Sequence, residues 1–456
     1  MQINKEMQYK ALREQFEQFV YNSYQVTDCG SYIAIDYRFT IEGLAEFNPH
    51  WEISKLSAGA TDINDAKLDT LAFSLGMVEL VSYWKITCSP NVRVLCGSLS
   101  PSQISWWKKL YLKGLGEFFY TNGITPDDDF MTIQSAGNTN CADNISLTQD
   151  EEKVLIPIGG GKDSAVTVEL LKDYADRYCY IINPRGATIE TVKAAKIPDS
   201  HVITAKRVLD KNMLELNKQG YLNGHTPFSA IVAFSSVIAS YINGIKYVAL
   251  SNESSANEST VIGSDVNHQY SKSVEFENDF IEYESQHIAS GVKYFSLLRP
   301  LTEIGIARIF SEFDKYYYIF KSCNVGSKAD IWCANCPKCL FVYIILSPFI
   351  KRETMIKIFG KEMLDDEALI PTFDKLIGIT PEKPFECVGS CSEVRASVQT
   401  LLERYEKDGT NPPALIKHYK ELGITADESI ESLCLSYDES NNLPEKFVEA
   451  VKSKLR

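Results

Sequence analysis

The chain is poor in everything that would fix it to a membrane or a nucleic acid. Its most apolar stretch, LFVYIILSPFI (340–350), falls far short of the ~20 residues a spanning helix needs and is interrupted by Pro348. Positive charge is in deficit, with 46 Lys and Arg against 60 Asp and Glu, a net charge of −14 and a pI near 5.1. Chains that neutralise many phosphates carry a basic face, so no nucleic-acid partner is expected, and an anionic membrane surface is disfavoured. The opening segment MQINKEMQYKALREQFEQFVYNSY lacks an apolar targeting core and a cleavage site. It reads as an amphipathic helix, and the expected location is the cytoplasm. There the twelve cysteines are thiols or metal ligands rather than disulfides. No internal repeat is visible.

What remains is an ordinary globular balance, 45% apolar and 23% charged, in 456 residues, enough for two or three domains. Residues 1–121 read as an N-terminal α+β domain. SYIAIDYRFTIEGLAEF (31–47) and VRVLCG are strand-like, and KLDTLAFSLGMVELVSYW (67–84) and SQISWWKKLYLKGLGEFFY (102–120) are helical. Residues 122–152, rich in Gly, Asn, Ser and Thr with an acidic run, read as a linker. Residues 153–345 alternate helices with strand candidates at 154–158, 178–184, 201–205 and 246–251. That alternation predicts an α/β unit with a central doubly wound parallel sheet. Residues 346–456 read as a mainly helical C-terminal region.

The sharpest motif is VLIPIGGGKDSAVTVELLKDY (154–174). A strand runs into Gly159, Gly160 and Gly161, then Lys162, Asp163 and Ser164, then a helix. Glycines let backbone N–H groups close on an anion, the helix start adds its dipole, and Lys162 supplies charge. Asp163 is out of place beside an anion unless it holds the Mg²⁺ that accompanies phosphates. Neither the Walker A pattern nor the dinucleotide fingerprint is matched. The motif resembles the S-G-G-x-D-S loop of the PP-loop ATP pyrophosphatases, with Gly159 where that family has Ser. The resemblance implies that the loop holds the leaving pyrophosphate of ATP, and that adenosine sits near Asn183 and Pro184. It also implies a second acid for Mg²⁺ in SNESSANES, from Glu253 or Glu258. Members of that superfamily carry a lysine after an R-P-L turn; LLRPLTEIGIARIF (297–310) has none, leaving Arg299 or Arg308 to supply charge.

Cys323, Cys333, Cys336 and Cys339 are spaced C-x9-C-x2-C-x2-C, a pattern for a tetrahedral zinc site. It resembles the zinc cluster of PP-loop enzymes that make 7-cyano-7-deazaguanine. An iron–sulfur cluster and plain reduced thiols are the other readings. With four protein ligands the zinc's role is structural. His225 and His268 lie in loop-like segments and are candidate acid–base groups. Lys272 and Arg185 are candidates for substrate carboxylates, and Cys387 with Cys391 is a rival pair for proton transfer.

Several segments together, among them LAFSLGMVELVSYWK, SWWKKLYLKGLGEFFYTN, IPIGGGKDS, NGHTPFSAIVAF, SNESSANE, VNHQYSKS, LLRPLTEI, WCANCPKCLFV and KPFECVG, resemble the UDP-N-acetylmuramoyl-L-alanyl-L-glutamate epimerases of peptidoglycan synthesis. The resemblance implies ATP, Mg²⁺ and a UDP-linked muramoyl dipeptide as ligands. It implies adenylation of the terminal glutamate's α-carboxylate, release of AMP and diphosphate, and inversion of L-Glu to D-Glu. Other PP-loop adenylating enzymes, acting on nucleobases, tRNA, amides or sulfur acceptors, and a non-catalytic ATP-sensing regulator are the competing readings.

Overall fold

The computed structural model describes residues 5–57, 62–136, 149–257, 267 and 270–456. Among them, eleven strands form one sheet. They are β1 Gln18–Asp28, β2 Tyr32–Ile41, β3 Ala45–Phe47, β4 His50–Ser54, β5 Asn91–Val94, β6 Thr132–Ser135, β7 Asp150–Pro157, β8 Asp176–Ile182, β9 Val202–Val208, β10 Ile245–Leu250 and β11 Lys293–Ser296. The order is β11-β10-β7-β8-β9-β4-β2-β1-β5-β6, with β3 paired to β2.

The five strands from β11 to β9 are parallel. Their side chains alternate between two cores, as the two-residue period of a strand requires. Leu155, Tyr178, Tyr180 and Val248 enter one core, with the helices Ala66–Trp84 and Phe228–Ile242. Val154, Ile156, Cys179, Ile181 and Ala249 enter the other, with Lys162–Leu170, Glu303–Phe310 and Pro337–Leu346. Both faces of the parallel segment are therefore covered, and each fully buried large apolar side chain contributes roughly 1.5–3 kcal/mol. The chain leaves β7 toward β8 and β9, then returns to β10 and β11 on the other side of β7. This places the topological switch point between β7 and β10, where open α/β sheets bind ligands beyond the carboxyl ends of their strands.

The N-terminal strands join the same sheet. β4 pairs antiparallel with β9, Ile53 opposite Ala205 and His50 opposite Val208. The helix Ala66–Trp84 is apolar on nearly every side because it is wedged between this sheet and Phe228–Ile242. Its start is fixed by Asp65, whose carboxylate accepts from the Lys67 and Leu68 amides at 2.8 and 3.2 Å.

Three local expectations are corrected. Among the described residues the opening helix spans Lys5–Gln15 and ends there; QFVYNSYQVTD is β1, since its aromatic and β-branched residues bury Phe19, Val20 and Tyr21 in the sheet. The stretch read as a linker contains β6, parallel to β5. The helical stretch 102–120 is two helices, Pro101–Gly114 and Gly116–Thr121, which meet at Leu115. The described part of 346–456 holds helices and no strand, and it extends the second core.

Candidate active site

The three glycines leave β7 at the switch point. Gly160 has φ +82°, and a Cβ there would lie 3.0 Å from Ala187 Cβ and 3.1 Å from the Thr188 amide nitrogen. The loop therefore packs closely on the first turn of the helix Gly186–Ala194 that follows β8. Gly161 is the N-cap of Lys162–Leu170, and no side chain caps that helix. Its first amides and its dipole are directed at the loop, the arrangement that suits a phosphate.

Charge is concentrated at this point. Lys162 is buried, and its ammonium bonds both Asp163 Oδ1 and Glu303 Oε2. Glu303 is the first residue of its helix, with Thr302 as N-cap. Burial opposes the Lys162 charge, but the two carboxylates outweigh it and hold the group well above the ordinary lysine range. Burial pushes the Glu303 carboxyl up; Lys162 resists, while Asp163 and Glu253 add to the rise. Asp163 is desolvated too, yet Lys162, Lys338 and Lys272 hold it below the usual carboxylate range. Three acids and three lysines thus share one field.

The sequence-predicted residues fall into three groups. Lys162, Asp163 and Ser164 stand on the loop and Glu253 is buried after β10. Asn183, φ +49°, spends its side-chain amide on the Arg207 backbone, accepting from N at 2.9 Å and donating to O at 3.1 Å, and Pro184 beside it is exposed. Arg299 is fully buried and bonds the Glu253 carbonyl at 2.6 Å, the Lys272 carbonyl, and Glu277 Oε2 at 3.0 Å. It clamps the two loops that carry Glu253 and Lys272. Arg308 donates to the Lys454 carbonyl in the C-terminal region. His225 Nδ1 lies 3.0 Å from Glu117 Oε2 on the helix Gly116–Thr121. Beside it Lys85 Nζ donates to the Gly224 carbonyl at 2.5 Å and Thr226 Oγ1 at 2.6 Å. Glu258 and His268 lie outside the described residues.

Sequence reasoning missed Glu303, Lys338, Glu117 and Lys85. Glu303 sits in the segment searched for a lysine, where an acid follows the R-P-L turn instead. Lys338 was hidden inside a spacing read only for its sulfurs. Nothing in the local pattern links Glu117 or Lys85 to His225.

The four sulfurs of Cys323, Cys333, Cys336 and Cys339 lie within 4.8 Å of one another and form a group that can hold a metal ion. Cys323 and Cys336 are 3.7 Å apart, Cys333 and Cys339 3.7 Å, and Cys336 and Cys339 3.4 Å. A zinc tetrahedron with Zn–S near 2.3 Å places its sulfurs about 3.8 Å apart, so the donor set fits Zn²⁺. Ala334, φ +51°, turns the chain between Cys333 and Cys336. Cys336 caps the helix Pro337–Leu346, accepting from the Cys339 amide at 3.5 Å, and Gly326 N donates to Cys323 Sγ at 3.1 Å. The same loop sends Asp330 to the Ala187 amide at 3.0 Å. Between it and the glycine loop is a cavity of about 110 Å³, bordered by Gly159, Arg185, Thr188, Lys321 and Asn324. A larger one, about 240 Å³, lies among C-terminal helices around Arg352 and Tyr405 and shares no residue with the loop.

The comparisons with known proteins are decisive for the family. The profile of the MurL N-terminal domain matches residues 10–297, and that of the MurL C-terminal domain matches residues 319–428. This chain belongs to the MurL family. A MurL relative in Xanthomonas oryzae pv. oryzae (strain MAFF 311018) is 36% identical over 341 residues, 73% of this chain and 74% of its own. One in Salinispora tropica is 35% identical over 364 residues, 77% of this chain and 78% of its own. One in Micromonospora sp. (strain ATCC 39149) is 33% identical over 400 residues, 85% of this chain and 87% of its own. Each is named UDP-N-acetyl-alpha-D-muramoyl-L-alanyl-L-glutamate epimerase. No solved structure matches the chain. The boundary between the two MurL profiles falls after β11, so the first profile spans the whole sheet. Among the described residues no helix is long and apolar enough to cross a membrane.

Proposed function

We propose that this chain inverts the terminal L-Glu of UDP-MurNAc-L-Ala-L-Glu to D-Glu, using ATP to form an acyl-adenylate and releasing AMP and diphosphate. The observation that carries the reading is the glycine turn at the switch point, leading into an uncapped helix whose first residues are Lys162 and Asp163. Membership of a family whose relatives are named for this epimerisation supplies the substrate.

The chemistry explains why ATP is needed. A free carboxylate makes the neighbouring Cα–H a very weak acid, because its charge opposes a carbanion. Adenylation removes that charge and lets the carbonyl take up the electron pair as an enolate-like species. In this reading the loop amides of Gly159 to Ser164 hold the β- and γ-phosphates, and Lys162 turns from its carboxylates to the pyrophosphate as it leaves. Asp163 and Glu253 would hold Mg²⁺, whose charge would neutralise the phosphates. The cavity beside Gly159 and Arg185 is the place for the adenosine. The cysteine group holds a structural Zn²⁺ that fixes the loop carrying Asp330 and Lys338. Water then cleaves the mixed anhydride, which makes the inversion directional.

The test is exchange of labelled pyrophosphate into ATP. Exchange that requires both Mg²⁺ and the UDP-linked dipeptide is expected. Exchange driven equally by unrelated carboxylates, or none with this substrate, overturns the assignment.

A further inference from the structure

Cys387 lies between two lysines whose charges act on Asp163. Lys272 Nζ is 3.3 Å from its sulfur, and Lys338 Nζ donates to its carbonyl oxygen. Lys338 is buried and Cys387 is partly accessible. Burial opposes the Lys272 charge, but Cys387, Glu253 and Asp163 outweigh it and hold the ammonium charged. The lysine that touches the sulfur is thus in the field of the two acids assigned to Mg²⁺.

The loop that presents Cys387 is anchored along its length. Tyr120 Oη donates to Glu382 Oε2 at 3.1 Å and its ring meets Phe385 at 5.1 Å between centroids. Asn324, from the cysteine-cluster loop, donates to Glu386 Oε2 at 2.5 Å. Ser390 then caps the helix Cys391–Lys407 in a reciprocal box with Glu393. Contacts from three separate parts of the chain thus hold one sulfur beside the charged end of Lys272. Cys391, by contrast, packs against Gly378, where a Cβ would lie 2.8 Å from its sulfur.

A thiol beside an ammonium is favoured as thiolate, and thiolates are competent bases for carbon acids. The α-carboxylate must sit at the α-phosphate to be adenylated, so in the adenylate only the carboxyl carbon and one oxygen separate Cα from the α-phosphorus. A base for Cα therefore belongs beside the Mg²⁺ acids, which is where Cys387 is held. Resting on the epimerase reading, we propose that Cys387 is a catalytic residue that takes the Cα proton of the adenylated glutamyl residue on one face. The sulfur lone pair forms S–H, and the C–H pair moves toward the acyl carbonyl, whose oxygen gains the charge. A proton from a second acid, side chain or water, is added to the opposite face as the carbonyl re-forms, and the thiol later loses its proton to solvent. Lys272 is a positioning residue that stabilises the thiolate before and after the step.

The experiment compares the parent with Cys387→Ala and Cys387→Ser, given ATP, Mg²⁺ and the L-Glu substrate in D₂O. Pyrophosphate, D-Glu and deuterium at Cα are measured together. Both variants are expected to release pyrophosphate within about threefold of the parent, while D-Glu and deuterium fall at least a hundredfold. D-Glu keeping pace with pyrophosphate in the alanine variant overturns the proposal. So does a parallel loss of pyrophosphate and D-Glu in both variants, which would place Cys387 in adenylation or folding. A parent that releases no pyrophosphate at all would instead defeat the epimerase reading itself.

Discussion

Lys162 and Glu303 form a buried ion pair that joins the first residues of two helices, one after the glycine loop and one after β11. Removing one partner of such a pair strands a buried charge and costs ~3–5 kcal/mol, whereas replacing both by apolar residues is often nearly neutral. Lys162→Met alone takes the cation from the buried Glu303 carboxylate and is therefore expected to lower stability by about that amount. The double variant Lys162→Met, Glu303→Met should recover most of it while releasing no pyrophosphate. Chemical denaturation read beside pyrophosphate assays checks both halves. A double variant as unstable as the single one would mean that the pair is a net contributor to the fold.

Asp163→Asn keeps the shape of the side chain and removes the charge assigned to Mg²⁺. The expected result is a folded protein in which pyrophosphate release falls at least a hundredfold and does not recover as Mg²⁺ is raised. Retained activity removes Asp163 as a ligand.

The cysteine group and the proposed phosphate site are linked through Lys338, which stands between Cys336 and Cys339 and reaches the Cys387 carbonyl. Cys336→Ser should lose co-purifying zinc, measured by elemental analysis, and lower the unfolding temperature through loss of the metal, since a serine hydroxyl still caps the helix Pro337–Leu346. Pyrophosphate release should fall with the zinc content. Parent protein purified without any metal contradicts the zinc assignment.

Much of this arrangement was legible in the sequence because it is local. Four of the five parallel strands announced themselves as apolar runs between helices, and strand, glycine turn and helix are contiguous from 154 to 174. The cysteine spacing likewise carried its own geometry, with sulfurs 3.4–3.7 Å apart. What was not legible depends on long-range pairing. The β4–β9 ladder joins residues more than 150 positions apart, and the composition shift after 121 reads as a break although the N-terminal strands extend the central sheet. β11 has four residues, too few for a periodicity to show. Glu303 and Lys338 look like a helix start and a surface lysine until the fold buries them beside Lys162.

Lys85 supplies a pH test of the N-terminal side. Burial, and then Arg207, bring its pKa down to about 8, against Cys88 and Glu117, which favour the charge. The unfolded chain binds this proton up to about pH 10.5 and the folded chain only to about 8, so stability rises with pH across that window. The gain is of order 3 kcal/mol. Compared with Lys85→Met, the parent should gain thermal stability between pH 8 and 10. A constant difference between the two proteins would mean that Lys85 is not held in this state.

The central claim is that ATP cleavage is coupled to inversion at Cα. The direct measurement incubates the protein with ATP, Mg²⁺ and UDP-N-acetylmuramoyl-L-alanyl-L-glutamate in D₂O and follows diphosphate, AMP and the configuration and isotope of the glutamyl Cα. The account predicts diphosphate and AMP in equal amounts, with D-Glu carrying deuterium. Inversion without ATP, or diphosphate and AMP from parent protein with L-Glu left unchanged and unlabelled, contradicts it.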